Sequence, residues 1–418
     1  MPEPEPVFKQ PPPPVVRTNL APASVPAPVP APAPALVTPP PNDHLVPGET
    51  WVSLERWCQA SGYGALHRIP NDQVLTYSFA STNGSMTIHA GNQIASWRGS
   101  EYHLGFAPQM IGGHPFVHEL DVRKNFLPLL DNSIRTPTNH VIVIDPGHGG
   151  TDTGTSNVVT GHFEKEYTLD WARRLQPLLA ANGWTVLLTR TNDVYVPLAA
   201  RVAFAEQHKA GLFLSLHFNS AFPDRQEAGL ETYCLTPHGM RSTLTRGFAD
   251  EPALTFPNNH FDYENLQYAA RLHRALLKVN GHTDRGVRRA RFLGVLQGQN
   301  RPALLMEGGY LSNRHEAGLI ADPAYRQKIA EAMAHELILD ASIPPSVASQ
   351  SAPSPTNRET SNIQHRTSNI ELGTPLIPAL SPKGAREKTN PSVNAPAVTN
   401  RVAVSTNNPV KAQEDANE

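Results

Sequence analysis

The sequence predicts an α/β protein: a domain with a largely parallel sheet and helices on both faces, preceded by a small α+β domain and flanked by disordered termini. Three observations predict this arrangement. Buried-strand and helix patterns alternate between 139 and 340. Shorter apolar runs separated by turn residues occupy 45–135. The two ends lack the aromatic residues that a core needs, since 1–44 contains only Phe8 and 341–418 contains no Phe, Trp or Tyr, which predicts a Pro-rich disordered segment at 1–44 and a disordered low-complexity tail at 341–418.

The small domain is predicted from alternation and turn residues. A short amphipathic helix is predicted at 52–57, and strands are predicted at 85–90 and 93–97. The turn signal Gly91-Asn92 separates the two strands. These short elements indicate a small α+β unit.

Strand and helix patterns alternate regularly in the larger domain. Strands are predicted at 141–145, 185–189, 212–216, 230–235 and 303–306, and helices at 166–181, 198–209, 263–279 and 323–339. The first strand is continuously apolar before its final Asp145, which is typical of a strand buried on both faces. The first helix has apolar residues at helical spacing and stops at Asn182-Gly183. This alternation favours parallel pairing with helices on both faces of the sheet.

Composition argues against several classes of protein. The 35 basic and 37 acidic residues give a formal net charge of −2 without a block of like charge, which disfavours a nucleic-acid-binding protein. No apolar run reaches the about 18 residues of a membrane-spanning helix, so no transmembrane segment is predicted. The two cysteines form no CxxC pair, so a metal site would need histidine and carboxylate ligands. The acidic start of the chain does not resemble an export signal.

Polar residues that suit a metal follow three of the predicted strands. His148 comes shortly after the first strand, His217 directly follows the third, and Glu307 directly follows the last. Glu164 lies at the start of the helix after the first strand. Ligands of open α/β sheets bind at the carboxyl ends of strands, and two histidines with one carboxylate are a common set for catalytic zinc. We therefore assign His148, Glu164 and His217 as metal ligands and Glu307 as an acid/base carboxylate.

Several neighbouring residues have two possible roles. His162 is the alternative ligand if this choice is wrong, and Asp145 either orients His148 or caps local backbone N–H groups. Asn219 either binds substrate or fixes its loop. Arg190 and Arg201 either meet anionic groups of a substrate or, as we favour, bridge to surface carboxylates.

Six segments resemble the zinc-dependent N-acetylmuramoyl-L-alanine amidases of the type 3 amidase family, over about 200 residues and in the family's order. They lie at 144–150, 164–165, 188–190, 215–219, 284–287 and 306–313. The resemblance implies that His148, Glu164 and His217 bind Zn²⁺ and that Glu307 is the catalytic glutamate. It also implies cleavage of peptidoglycan at the amide between N-acetylmuramic acid and the L-alanine of the stem peptide.

The resemblance has consequences for location and partners. A peptidoglycan substrate implies a periplasmic or cell wall-associated protein. The region before the amidase-like segments weakly resembles a copper amine oxidase N-terminal-like stalk domain, through which the protein would contact the cell wall or a protein activator. A zinc carboxypeptidase or endopeptidase, and a wall-binding module, are the alternative functions. The polar insertion at 236–262 is either a lid over the site or a surface loop.

Overall fold

The structure is a computed structural model that describes residues 45–70, 73–131, 137–245 and 247–341, without the side chains of the last three. The predictions of disorder at 1–44 and along the tail fall outside these residues. The predicted junction between the two domains, at 135–139, falls partly outside them as well.

The described residues form fourteen β-strands. They are β1 Trp51–Ser53, β2 His67–Arg68, β3 Thr76–Ser81, β4 Gly84–His89, β5 Ile94–Trp97, β6 Ser100–His103, β7 Gln109–Ile111, β8 His114–His118, β9 Val141–Pro146, β10 Thr185–Leu188, β11 Leu212–Asn219, β12 Leu230–Cys234, β13 Asp284–Arg289 and β14 Ala303–Tyr310.

The described residues also form nine α-helices, together with a π-helical turn at Val122–Phe126 and a 3₁₀-helix at Pro257–Phe261. The α-helices are α1 Leu54–Ala60, α2 Glu119–Asp121, α3 Leu127–Leu130, α4 Glu164–Ala180, α5 Leu198–Gln207, α6 Asp262–Asn280, α7 Gly294–Gln297, α8 Arg314–Ala321 and α9 Pro323–Ala341. Among them, none is both long and apolar enough to cross a lipid bilayer.

Eleven strands form one sheet in the order β10-β9-β11-β14-β12-β13-β6-β5-β4-β3-β2. Strands β10, β9, β11 and β14 are parallel to one another, and β12 is antiparallel to β14. Strand β13 is parallel to β12. The part of the sheet after residue 139 is therefore largely parallel, as predicted. Three strands, β1, β8 and β7, form a separate small sheet.

The central strands are buried on both faces, which explains their continuous apolar sequence. In β9, Ile142 and Ile144 belong to the core cluster that also contains Trp171 of α4, whereas Val143 belongs to a second cluster with Ala205 of α5. Successive residues of a strand point to opposite faces, so α4 and α5 cover opposite sides of the sheet. The predicted arrangement of helices on both faces is confirmed.

The small N-terminal domain continues the same sheet. Strand β6 pairs with β13 through Tyr102 and Val287, and the backbone N–H of Glu101 donates to Asp284 Oδ2 at 2.9 Å. Strands β5, β4, β3 and β2 follow as an antiparallel meander. The α+β character of this region is confirmed, and its sheet is continuous with that of the larger domain.

The insertion at 236–262 begins at the edge of the sheet opposite the carboxyl ends of the parallel strands. Strand β12 is antiparallel to β14, with Glu231 paired to Glu307, so its last residues lie beside the start of β14. Asn258 Nδ2 in the insertion donates to the carbonyl of Arg301, just before β14, at 2.8 Å. The insertion therefore follows β12 as predicted, but it starts at the end of the sheet away from Glu307, which argues against a lid over the site. The sequence pattern showed β12 but not its direction.

Candidate active site

Side chains from neighbouring strands form a row at the carboxyl edge of the parallel strands. His217 of β11 is in register with Glu307 of β14, and Glu307 is in register with Glu231 of β12. Both β11 and β14 extend beyond the predicted ends at 216 and 306, so His217 and Glu307 are strand residues. Because residues in register on adjacent strands project to the same face, these three side chains share one face of the sheet.

Three of the sequence-predicted residues come together beside this row. The ligand atoms of His148, Glu164 and His217 lie within 4.8 Å of one another. His148 Nε2 is 3.2 Å from Glu164 Oε2, and His217 Nδ1 is 3.0 Å from Glu164 Oε1. The two imidazole rings are 4.9 Å apart at an interplanar angle of 78°. This is the geometry of donors facing a common point.

The carboxylate of Glu164 is buried at the first residue of α4. It accepts hydrogen bonds from the backbone N–H groups of Phe218 (3.0 Å) and Thr155 (3.2 Å). Burial alone would raise the pKa of Glu164, but His148 and His217 outweigh it and hold the pKa well below its usual range. Glu164 therefore keeps its negative charge, which suits it to bind a cation.

His148 is oriented by a carboxylate that the sequence analysis did not identify. Its Nδ1 lies 2.7 Å from Asp152 Oδ1, which leaves Nε2 facing Glu164. Burial lowers the pKa of His148, but Glu164 and Asp152 outweigh this and raise it to about 9. His148 has a φ of 60°, so the tight turn that follows it brings Asp152 back to the ring. The sequence feature that could have identified Asp152 is its position four residues after His148 within a glycine-rich turn.

Two glycines leave room for these side chains. A Cβ on Gly147 would lie 2.2 Å from the imidazole of His217. A Cβ on Gly154 would lie 2.6 Å from Glu164 Oε2 and 2.7 Å from His148 Cδ2. The cradle that these glycines form, and the nitrogen and oxygen donors within it, fit a zinc ion.

Two buried arginines hold the loop that carries His148. Arg201 Nη1 donates to Asp145 Oδ1 at 2.7 Å, and its Nη2 donates to the carbonyl of His148 at 2.9 Å. Arg190 Nη2 donates to the carbonyl of Gly147 at 2.8 Å. The favoured prediction of surface carboxylates was wrong, because both arginines are buried and bind mainly loop backbone. Burial lowers the pKa of Arg190 to about 10.

Asp145 does not contact His148 in the way that one prediction proposed. Besides Arg201, it accepts hydrogen bonds from Thr189 Oγ1 at 2.5 Å and from Ser215 Oγ at 2.9 Å. These bonds join β9 to β11 and to Thr189, the residue that directly follows β10. Asp145 therefore supports the backbone from which the loop of His148 departs.

Asn219 and His162 occupy different positions. Asn219 Nδ2 donates to buried Glu231 Oε2 at 3.0 Å, and its Oδ1 accepts from Ser220 N at 2.8 Å. These bonds fix the end of β11. A contact between Asn219 and the substrate stays a prediction. His162 is exposed and pairs with Glu166 at 2.9 Å, away from the three facing donors.

Comparisons with known proteins agree with this geometry. The sequence profile of the family described as N-acetylmuramoyl-L-alanine amidase matches residues 142–338. Over 225 residues the chain is 30% identical to the N-acetylmuramoyl-L-alanine amidase AmiA of Salmonella typhimurium, covering 49% of this chain and 77% of that protein. The chain belongs to the N-acetylmuramoyl-L-alanine amidase family. Membership confirms the predicted resemblance to N-acetylmuramoyl-L-alanine amidases and makes the protein a peptidoglycan hydrolase.

Two further amidases are similar to this chain. AmiA of Escherichia coli is 31% identical over 219 residues, covering 47% of this chain and 75% of that protein. The catalytic domain of CwlV from Bacillus (Paenibacillus) polymyxa, a solved amidase structure, is 29% identical with a TM-score of 0.39, covering 47% of this chain and 94% of that one. The resemblance of the N-terminal region to a stalk domain stays a prediction.

Proposed function

We propose that this amidase is zinc-dependent, with His148, Glu164 and His217 as ligands and Glu307 as the catalytic carboxylate. The observation that carries the proposal is the convergence of these three donors beside Glu307 at one edge of the sheet. Family membership supports it, because the four residues lie within the matched range.

A zinc ion bound there would act as a Lewis acid, polarising the scissile carbonyl and lowering the pKa of a coordinated water. Asp152 holds His148 by Nδ1 and keeps Nε2 directed at Glu164. The backbone donors of Phe218 and Thr155 fix the carboxylate of Glu164. These contacts orient the donor atoms before a substrate arrives.

Glu307 supplies the acid/base chemistry. Its side chain is buried and shares a face of the sheet with His217, one strand away. As the base, it accepts a proton from the attacking water. It then donates that proton to the amine of the leaving L-alanine, so that one carboxylate serves both halves of the hydrolysis.

We also propose that the protein acts outside the cytoplasm, in the periplasm or at the cell wall, because peptidoglycan is found there. One relative is described as a probable cell wall amidase. The N-terminal region, whose strands continue the amidase sheet, would be the surface for a wall contact or a protein activator.

Purified peptidoglycan separates this proposal from its alternatives. We expect the wild-type protein to release sugar-free stem peptides, identified by mass spectrometry. Shortened peptides still linked to sugar would instead indicate a carboxypeptidase or endopeptidase, and no products would indicate a binding module.

Two variants test the assigned roles. Glu307→Gln should retain zinc after dialysis but lose hydrolysis, since it removes only the acid/base group. His217→Ala should lose the metal itself, measured by elemental analysis. Wild-type turnover by Glu307→Gln, or full zinc content in His217→Ala, would contradict the corresponding assignment.

A further inference from the structure

The amidase substrate has two chemically different halves, and the carboxyl edge of the sheet has two different ends. Building on the proposed function, we infer the direction in which the substrate lies: its sugar rests on the loop after β10, and its stem peptide extends towards β12 and β13. In particular, we propose that Tyr195 contacts the sugar ring of N-acetylmuramic acid.

The order of the strands sets the direction. From one side to the other, the edge presents the loop after β10, His148 after β9, His217 on β11, Glu307 on β14, and then β12 and β13. The amide nitrogen must lie near Glu307, which protonates the leaving amine. The acyl half, with its sugar, then extends away from Glu307, past His148 and towards the loop after β10.

The loop after β10 is fixed firmly against the turn that carries His148. A Cβ on Gly150 would lie 2.5 Å from the backbone nitrogen of Tyr195, and one on Gly149 would lie 2.2 Å from the carbonyl oxygen of Val194. Asp193 accepts hydrogen bonds from Gly150 N at 2.7 Å and from Lys165 Nζ at 2.8 Å. Val194 and Tyr195 therefore have a defined position beside His148.

This loop and the first residue of α5 expose apolar side chains. Val194, Tyr195 and Leu198 are 42%, 50% and 57% exposed. We call these three residues the apolar rim. The C–H groups on the face of a pyranose pack well against such a surface, and aromatic rings combine a large contact area with a polar tip. The apolar rim suits an uncharged sugar.

The opposite end of the edge is charged. Arg285 Nε donates to Glu231 Oε1 at 2.6 Å, and Arg288 lies 3.3 Å from the same carboxylate. Arg285 also pairs with the partly exposed Glu227. A peptide carries charged groups and backbone donors, so this end suits the stem peptide better than it suits a sugar.

The test measures the contribution of the sugar directly. Two soluble substrates share the same acyl group and peptide: an N-acetylmuramoyl-peptide and the corresponding D-lactyl-peptide, which lacks the sugar. We define the sugar preference as the ratio of kcat/KM between them. We expect Tyr195→Ala to reduce the sugar preference about tenfold, equivalent to ~1.4 kcal/mol, while Tyr195→Phe retains it.

Phe222→Ala is the matched control. Phe222 is also an exposed aromatic residue, at 68%, and follows β11 on the side of β14, where Ala221 N donates to Ser312 Oγ at 3.0 Å. The proposed direction places the peptide there, so this variant should leave the sugar preference unchanged.

The outcomes distinguish this inference from the proposed function. A wild-type protein that hydrolyses neither substrate would refute the proposed function. A wild-type protein that hydrolyses the N-acetylmuramoyl-peptide, together with an unchanged sugar preference in Tyr195→Ala, would overturn the inference alone. A sugar preference lost in Phe222→Ala instead would indicate the opposite direction.

Discussion

Gly147 shows how closely the backbone of one strand end packs against a side chain of the next. Its absent Cβ is what leaves room for the imidazole of His217. Gly147 is outside the left-handed region of backbone conformation, so the constraint at this position is steric.

We expect Gly147→Ala to lower zinc affinity by at least about tenfold, because the added Cβ would displace the His217 ring from the position that faces Glu164. Competition with a chelator of known affinity would measure the change. Gly318→Ala is the control, since a Cβ there meets nothing within 4 Å. Equal zinc affinity in the two variants would show that His217 adjusts without cost.

At this scale the sequence predicted the donors but not their supports. His148, His217 and Glu307 follow apolar strand patterns, which the sequence shows directly. The role of Asp152 depends on the φ of 60° at His148, and the buried role of Arg201 depends on how α5 packs against the loop. A one-dimensional pattern contains neither backbone conformation nor helix placement.

Among the elements, α2 is tied to the loop after β6 by one buried carboxylate. Asp121 Oδ1 accepts from Gly105 N at 2.8 Å, and Oδ2 accepts from Phe106 N at 2.9 Å. Burial raises the pKa of Asp121 to about 6, although these N–H groups and Asn125 act in the opposite direction. Folding therefore makes this carboxyl group easier to protonate.

The pKa of Asp121 predicts a pH-dependent stability. Because its folded pKa exceeds the unfolded value near 4, its stabilising contribution is fully present below about pH 4 and is lost as the pH rises through 6. The comparison is between the free energies of unfolding of wild type and of Asp121→Asn. Between pH 4 and pH 7, we expect the value for wild type to fall by on the order of 2–3 kcal/mol more than the value for Asp121→Asn. Denaturant titrations at both pH values measure this.

Asp224→Asn, at an exposed loop position, is the control and should show no such difference. If the free energies of unfolding of wild type and Asp121→Asn differ by the same amount at both pH values, the raised pKa of Asp121 is contradicted.

The sequence predicted the elements that depend on an apolar pattern, but it did not predict the direction in which β12 runs. The strands at 141–145 and 303–306 were found because continuous apolar runs are typical of buried strands, although β14 extends to Tyr310. The direction of β12 depends on the connection through 220–229 and on pairing with β14, so the sequence could not place the insertion that follows it.

For the whole molecule, the main finding is that the N-terminal domain and the amidase domain share a sheet and a core. Helix α3 packs on α6, and Lys124 Nζ pairs with buried Asp262 Oδ2 at 3.0 Å. Buried Arg289 of β13 donates to the carbonyl of Lys124 at 3.0 Å. The sequence predicted two units from their patterns, but strand pairing between distant segments has no local signal.

We expect removal of residues 45–131 to lower the melting temperature of the remaining amidase domain by at least about 5 °C. The deletion uncovers the edge of β13, the contacts of Arg289 and an apolar side of α6. Differential scanning calorimetry measures the change, and size-exclusion chromatography reports association through the exposed edge. A monomeric fragment with an unchanged melting temperature would contradict this prediction.

The β6–β13 pairing also decides where a chimera can be joined. The family match begins at residue 142, which suggests a cut just before it, but such a cut would leave behind five strands of the sheet that contains the catalytic edge. We therefore expect a chimera that keeps residues 45–341 together to preserve the whole sheet, with fusion partners joined outside those limits.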